Sequence, residues 1–408
     1  MSASHKKDLR SGFPIWRARR KPSIKAHDLP HRQPRRDVVI IGAGISGAMI
    51  ADALTEAGLD VAIIDRRGPL DGSTSATTAL IQHELDKPLV ELTQAIGRER
   101  AERMWSRSSL AVSSLRDRAR VLGIEAECQD RDTLYLDGNV LSAARLQDEA
   151  DARRAIGLET RWLSKADVEQ RFGIAGRAAL MSYGNLSADP LRLAAGFLNA
   201  ALSRRASLYA HIEVMHVEPQ ATGVRVDLAN GAVISARHLV FATGYEIAVG
   251  VPRKKHEIIS TWAMATRPQP GKIWNSGCFI WEAAEPYLYM RPGPDGRIIC
   301  GGEDEEIDDD EKRDALMPEK IAALEAKLHK LMPWVDPRAD YRWTGFFGNS
   351  TTGSPSIGPV PRMKNCYAVL GYGGNGITFS MLAAQILRNA LTGNEDSDAD
   401  LFSFTRKF

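Results

Sequence analysis

An α/β fold of two domains is what this 408-residue sequence predicts, and three stretches carry that expectation. Val38 to Ile41 is a continuous apolar run, followed at once by glycines at 42, 44 and 47 and a helical pattern. Val61 to Ile64 is a second such run, closing on Asp65. Continuous runs of this kind suit strands buried on both faces of a parallel sheet. Residues 256–302 form a separate strand-rich stretch broken by proline and glycine, which suits a second, mixed or antiparallel sheet.

Composition sets the outer bounds. The chain is 44% hydrophobic and 25% charged, with mean hydropathy −0.26, so it is globular and long enough for a sizeable core. Its longest nearly uncharged apolar stretch, residues 38–51, falls short of the roughly 20 residues a bilayer span requires. Cys128, Cys278, Cys300 and Cys366 are widely spaced, with no Cys-x-x-Cys pair. Neither a disulfide framework nor a metal site is expected, and reduced thiols point to the cytoplasm.

Charge is unevenly spread. Residues 1–36 hold 11 Lys/Arg and only Asp8 and Asp28, so the remainder of the chain is net acidic. A basic arm can bind nucleic acid or an anionic membrane. This one contains Phe13-Pro14-Ile15-Trp16 and several prolines, and no sustained amphipathic helix. An irregular segment laid over the acidic body and anchored by Trp16 is the expectation.

From Asp37 the elements follow in order. Ile45 to Ala57 reads as a helix stopped by Gly58, which completes a β-α-β unit with the second apolar run. A long helical stretch spans about 87–122, then a strand at 133–136 and a helix at 141–156. Asp189-Pro190 opens a helix through Leu202, with proline at the favoured first position. Strands are expected at 212–217, 223–228, 233–235 and 238–242. Others follow at 258–266, 278–281, 287–291 and 297–300. An amphipathic helix over 318–332 and a strand over 366–370 precede a final, nearly all-apolar helix to Leu391.

Gly42-Ala43-Gly44-Ile45-Ser46-Gly47 matches a dinucleotide fingerprint in its required context, after a strand and opening a helix. The first glycine permits the tight turn, the second lets the backbone approach a pyrophosphate, and the third allows close helix–strand packing. The helix N-terminus favours the anion. Asp65, at the end of the second strand, can accept a ribose hydroxyl. The motif alone does not separate FAD from NAD. Gly371-Tyr372-Gly373-Gly374-Asn375-Gly376 is a second match, but only polar sequence follows its helix. It reads as a helix N-terminus that meets the same cofactor, not as a second nucleotide site.

These motifs occur in one order: the fingerprint, Asp65-Arg66, the Ser/Thr-rich run 72–80, the strand end Phe241-Ala242-Thr243-Gly244 and the C-terminal glycine loop. That order resembles the FAD-dependent amine and amino-acid oxidoreductases typified by D-amino-acid, glycine and sarcosine oxidases. The resemblance spans about residues 37–391. It implies that Asp65 holds the adenosine ribose beside Arg66, and that Thr74, Ser75, Thr78 and Ala79 line the pyrophosphate and flavin edge. Val214 would contact adenine through its backbone, and Ala242, Thr243 and Gly244 would flank the nucleotide. Gly373, Gly374, Asn375, Gly376 and Ile377 would lie against the flavin.

The sequence also departs from those relatives. In the stretch 345–350, Phe347 stands where D-amino-acid and glycine oxidases place a carboxylate-binding arginine. Ala79 and Gln82 stand where sarcosine oxidases use an arginine, and Gly345 replaces their flavin-linking cysteine. A non-covalent FAD is therefore expected, and simple amino-acid recognition is not. No catalytic residue is assigned. Tyr287, Tyr289 and Arg291 alternate along one strand, so all three could face one pocket, with Arg291 as an anion clamp. Phe347 and His83 complete the substrate-pocket candidates, although His83 and His256 read first as hydrogen-bonded structural histidines. The acidic residues 303–311 lack calcium-loop spacing and read as a solvated loop.

The expected architecture is a Rossmann-like FAD domain over 37–85, 188–250 and 345–408. A mixed-sheet substrate domain takes 86–187 and 251–344, and a basic segment takes 1–36. The expected reaction is oxidation of a C–N bond of an amine or modified amino acid. Hydride passes to flavin N5, the imine hydrolyses, and O2 or an electron carrier is the acceptor. A flavin-free NAD-dependent dehydrogenase and a non-catalytic flavin-binding sensor are the alternatives. Neither nucleic acid nor a membrane span enters the expected partners.

Overall fold

The computed structural model describes residues 2–29, 35–253 and 256–407. The remaining positions of the basic segment, of the stretch 251–344 and of the C-terminal piece (1, 30–34, 254–255 and 408) lie outside the described residues. In chain order, β1 (Arg10–Gly12) and β2 (Arg36–Ile41) precede helix α1 (Ile45–Glu56) and β3 (Val61–Asp65). β4 (Leu80–Ile81) leads to α2 (Leu89–Ile96), α3 (Arg98–Val121), β5 (Gln129–Leu136) and α4 (Ala143–Ala155). β6 (Thr160–Leu163), α5 (Lys165–Phe172), β7 (Ala179–Ser187), α6 (Pro190–Ser203) and β8 (Ser207–Ala210) follow. Next come β9 (Val214–Gln220), β10 (Gly223–Leu228), β11 (Val233–Phe241), β12 (His256–Thr266), β13 (Phe279–Glu282), β14 (Leu288–Pro292) and β15 (Ile298–Glu305). Last are α7 (Asp310–Ala315), α8 (Met317–Leu331), β16 (Ala339–Ser350), β17 (Ser356–Pro359), β18 (Cys366–Leu370), α9 (Gly376–Thr392) and α10 (Ala399–Phe402).

The smaller sheet runs β17-β18-β11-β2-β3-β8, with β10 on β11 and β9 on β10. Neighbours from β18 to β8 are parallel, as the continuous apolar runs require. Val38, Val39 and Ile40 are wholly buried, and α1 packs against both α6 and α9. The side chain of Asp189 caps α6 by accepting from the amides of Leu191 and Arg192. The larger sheet runs β1-β16-β12-β15-β14-β13-β5-β7-β4, with β6 on β7. Its neighbours are antiparallel except for β13 beside β5. Helix α8 covers it, burying Ile321, Leu324 and Leu328.

Several expectations need correction. The helical stretch 87–122 is two helices broken at Gly97, whose φ of +89° no helix accommodates. Strand β11 is continuous where two short strands were expected. Strands β6, β7 and β8 and helix α5 were not expected at all. Residues 345–350 pair with β12 in the larger sheet, and Leu80–Ile81 pair with β7, so neither stretch belongs to the smaller, largely parallel sheet. The acidic run is not all solvated loop. β15 continues through Glu305, which pairs with Ser260.

The basic segment does lie over the body. Trp16 is buried, and its indole Nε1–H donates to the Thr77 carbonyl at 2.7 Å. β1 adds an edge strand to β16, so the segment is not wholly irregular. Lys6 pairs with Glu213, Lys7 with Asp308, Lys21 with Asp71, and Arg19 with Glu127 and Asp189. Among the described residues no helix is long and apolar enough to cross a membrane.

Candidate functional site

Residues from both sheets line one cavity of ≈ 1230 Å³. At one end the β2–α1 turn approaches it. Gly42 has φ +114°, and a Cβ there would sit 2.3 Å from the Ala242 carbonyl oxygen, so only glycine fits between these parallel strands. The Ile45 amide at the start of α1 donates to Thr74 Oγ1 at 3.0 Å. Asp65 accepts from the Ala43 amide through Oδ2 and from the Arg67 and Gly68 amides through Oδ1, at 2.7–3.0 Å. Its carboxylate therefore ties the two turns together as well as facing the cavity.

Sixteen of the twenty sequence-named cofactor residues line this space: Gly42, Gly44, Ile45, Ser46, Asp65, Arg66, Thr74, Thr78, Val214, Ala242, Thr243, Gly244, Gly373, Gly374, Gly376 and Ile377. The other four stand behind it. A Cβ on Gly47 would lie 1.9 Å from the Gly42 carbonyl oxygen, so Gly47 serves helix–strand packing. Ser75 Oγ donates to the Gly72 carbonyl, and Asn375 Nδ2 donates to the Glu84 carbonyl. Ala79 turns its backbone at φ +56° and offers its carbonyl to Arg291.

Ser2, Ala3 and Ser4 line the same end of the cavity, a placement that sequence reasoning missed. The Ala3 amide donates to the Val214 carbonyl at 3.0 Å, so that carbonyl is already engaged. Arg66 and Arg67 both pair with Glu246. Burial works to raise the Glu246 carboxyl, but the Arg67 hydrogen bonds and the Lys7 amide outweigh it and hold it below the ordinary range. No sequence motif marks this contact.

Two pocket candidates do not reach the cavity. The His83 ring is buried, with Nδ1 2.9 Å from Asn185 Oδ1, and burial pushes its pKa down. Arg291 is buried over the Trp16 ring, and donates to the carbonyls of Ala79 and Ala188. Alternation along β14 puts Arg291 on the face of Tyr289, but its guanidinium is taken up by two backbone carbonyls and the Trp16 ring instead of opening onto the cavity. Burial, with Arg131 nearby, lowers its pKa to about 9. Tyr287, Tyr289 and Phe347 do line the cavity, as do Gln82, Tyr135 and Trp281.

This second end is acidic. The Tyr287 hydroxyl donates to Asp304 Oδ2 at 2.6 Å. Asp86 Oδ2 accepts from the Gly374 amide at 3.0 Å, and Cβ atoms on Gly373 or Gly374 would fall 2.4 or 2.9 Å from its carboxylate. These glycines thus admit a carboxylate at the start of α9. Asp86 is exposed to the cavity, and the protein around it raises its carboxyl to about 6 by desolvation. Burial does the same to Asp304, against the opposing hydrogen bond from Tyr287.

A carboxyl raised in the folded state weakens the fold wherever it is ionised. The penalty is absent below the ordinary value of 3.8 and complete above about 6. Asp304→Asn should therefore melt above the unsubstituted protein at about pH 7.5, with the gap closing toward about pH 4. Thermal melts at several pH values check this, and a gap independent of pH would contradict it.

The glycine oxidase of Geobacillus kaustophilus (strain HTA426) is 25% identical over 409 residues, covering 91% of this chain and 97% of that protein. The gamma-glutamylputrescine oxidoreductase of Escherichia coli (strain K12) is 23% identical over 371 residues, covering 88% of this chain and 84% of that protein. The crystal structure of glycine oxidase from Geobacillus kaustophilus has the same fold, with a TM-score of 0.74 at 22% identity over 92% of this chain and 99% of that one. The family model for FAD dependent oxidoreductases matches residues 37–390, nearly the whole span from β2 to the end of α9. With its glycine turn, Asp65 and the Ser/Thr run gathered around one cavity, the chain belongs to the FAD-dependent oxidoreductase family.

Proposed function

We propose that this protein oxidises the C–N bond of an amine that carries no carboxylate next to the reacting carbon. One observation carries the reading: the substrate end of the cavity presents Phe347, Asp86 and Asp304 and no arginine. Among the described residues the arginines lining the cavity are Arg66 and Arg67, both held by Glu246 at the nucleotide end. Two lysines also line the cavity: Lys320 is paired with Glu303 and Glu305, and Lys87 follows Asp86 in the chain. A buried carboxylate with no compensating partner costs several kcal/mol, and two fixed carboxylates add repulsion. The version in which Arg291 clamps an acid has no geometric support.

The residues at the other end suit FAD. Ser73 lines the cavity and its buried Oγ has no hydrogen-bond partner among the described residues, and the N-terminus of α1 faces the same space. Both match a pyrophosphate. Gly44, Ser46, Thr74 and Thr78 would hold that group, Asp65 the ribose, and Thr243, Gly244 and Gly373 to Ile377 the rest. When bound, FAD supplies a two-electron acceptor for hydride from the substrate carbon. No cysteine or histidine lines the cavity among the described residues, which supports non-covalent binding. Family membership leaves the flavin-free NAD alternative without support. The chain's own part is to orient the amine between Phe347 and the tyrosines, and to screen the site from water. Oxygen or an electron carrier would accept the electrons. Free thiols at all four cysteines suit a reducing compartment such as the cytoplasm.

Anaerobic mixing of the holoenzyme with an amine panel tests the reading by flavin bleaching. Uncharged-tail or cationic amines should bleach it, while glycine, D-alanine and sarcosine should do so poorly. Rapid bleaching by any of those three would overturn the proposal.

A further inference from the structure

The acidic end of the cavity has more charge than one reacting amine needs. Asp86 and Asp304 come from different walls, the loop after β4 and strand β15, and the charge of Asp304 adds to the desolvation that raises the Asp86 carboxyl. Neither forms an ion pair among the described residues, whereas the neighbouring Glu303 is paired with Lys320 and Lys327. Around them stand aromatic faces. Tyr135 stacks on Trp281 with ring centroids 3.9 Å apart, Tyr287 lies 5.8 Å from Tyr289, and all four rings line the cavity. Carboxylates among tyrosine and tryptophan faces are the combination that stabilises a desolvated cation. A further group points to a ligand rich in N–H donors. Gln82 is 8% exposed and lines the cavity, and its Oε1 has no hydrogen-bond partner among the described residues.

The reacting nitrogen is not the group these carboxylates fit. Hydride leaves a carbon beside a nitrogen lone pair, so that nitrogen must be unprotonated, and a carboxylate in contact with it would hold its proton in place. A spectator ammonium has the opposite requirement. We infer that the substrate is a diamine or polyamine, and that Asp86 and Asp304, walled by Tyr287 and Tyr289, bind the ammonium end that is not oxidised. This rests on reading the cavity as an amine oxidation site, and it adds the second charge.

The test uses the FAD-loaded protein and α,ω-diamines of three to eight carbons, each beside the monoamine and the ω-amino acid of equal length. Binding is read from perturbation of the flavin absorbance, separately from anaerobic bleaching. The best diamine should bind about tenfold or more tightly than its monoamine, with the ω-amino acid weakest. Asp304→Asn and Asp86→Asn should each reduce the diamine-to-monoamine preference by about tenfold. Equal binding of diamines and monoamines, or a preference that survives both substitutions, would overturn the inference. Should either variant fail to fold, the ranking on the unsubstituted protein decides alone. Diamines that bind tightly without bleaching the flavin would uphold the cation subsite and refute the proposed reaction.

Discussion

Gly44→Val is expected to give a folded protein that purifies without FAD. Gly44 precedes α1 with φ −81° and ψ −170°, a conformation open to any residue, so the backbone itself tolerates the change. Space does not. A Cβ there already lies 3.0 Å from Thr74 Oγ1, the atom that accepts from the Ile45 amide, and the two valine methyls would project from the start of α1 into the cavity. Overpacking costs about 1–3 kcal/mol even where neighbours can yield. A helix N-terminus cannot yield, and it supplies the amides that a pyrophosphate uses. Flavin absorbance after gel filtration, read beside circular dichroism, gives the result. Retention of a full complement of FAD would show that the turn does not hold the cofactor. Gly47 makes a contrast, because its missing Cβ is replaced by backbone of the same unit, and substitution there strikes folding itself.

Deleting residues 1–29 should lower stability by at least about 3–5 kcal/mol, the range for losing one buried aromatic anchor. Trp16 is 1% exposed, and with it would go the Nε1 hydrogen bond to Thr77, the β1–β16 edge pairing and the ion pairs to Glu213, Asp308 and Asp71. Those ion pairs are mostly exposed and add little. FAD should also leave faster, because Ser2 to Ser4 wall the nucleotide end and the Ala3 amide engages Val214. Urea unfolding and the rate of flavin loss on dilution measure both effects. A truncated protein as stable as the full chain would refute the strap. So would salt-sensitive DNA or RNA binding that only the intact chain shows.

Local chemistry made the nucleotide unit legible. Apolar runs, glycines at fixed offsets and an acid at a strand end are all short-range features, and the structure places each where the pattern implies. The helix cap at Asp189 and the stop of α8 before Pro333 belong to the same class. Other elements left a signal that went unread. Ser164 and Asp167 form a capping box that announces α5. Strand β7 offers less, because Ala179 to Ser182 are buried on successive residues and show no alternation.

By itself, then, the sequence determined the dinucleotide turn, the parallel sheet behind it, the FAD-dependent family and the want of a carboxylate-binding arginine at Phe347. Each rests on residues close in the chain, whose spacing carries the geometry. Tertiary structure alone decided which side chains share the cavity. Asp86 and Asp304 stand more than two hundred residues apart, and an acidic run that reads as solvated supplies one of them because β15 extends to Glu305. Arg291 turns toward Trp16 rather than substrate because a buried guanidinium follows available carbonyls, and Ala79 and Ala188 offer them. The direction of a side chain across a sheet is settled by what packs on each face, and no stretch of sequence records both faces at once.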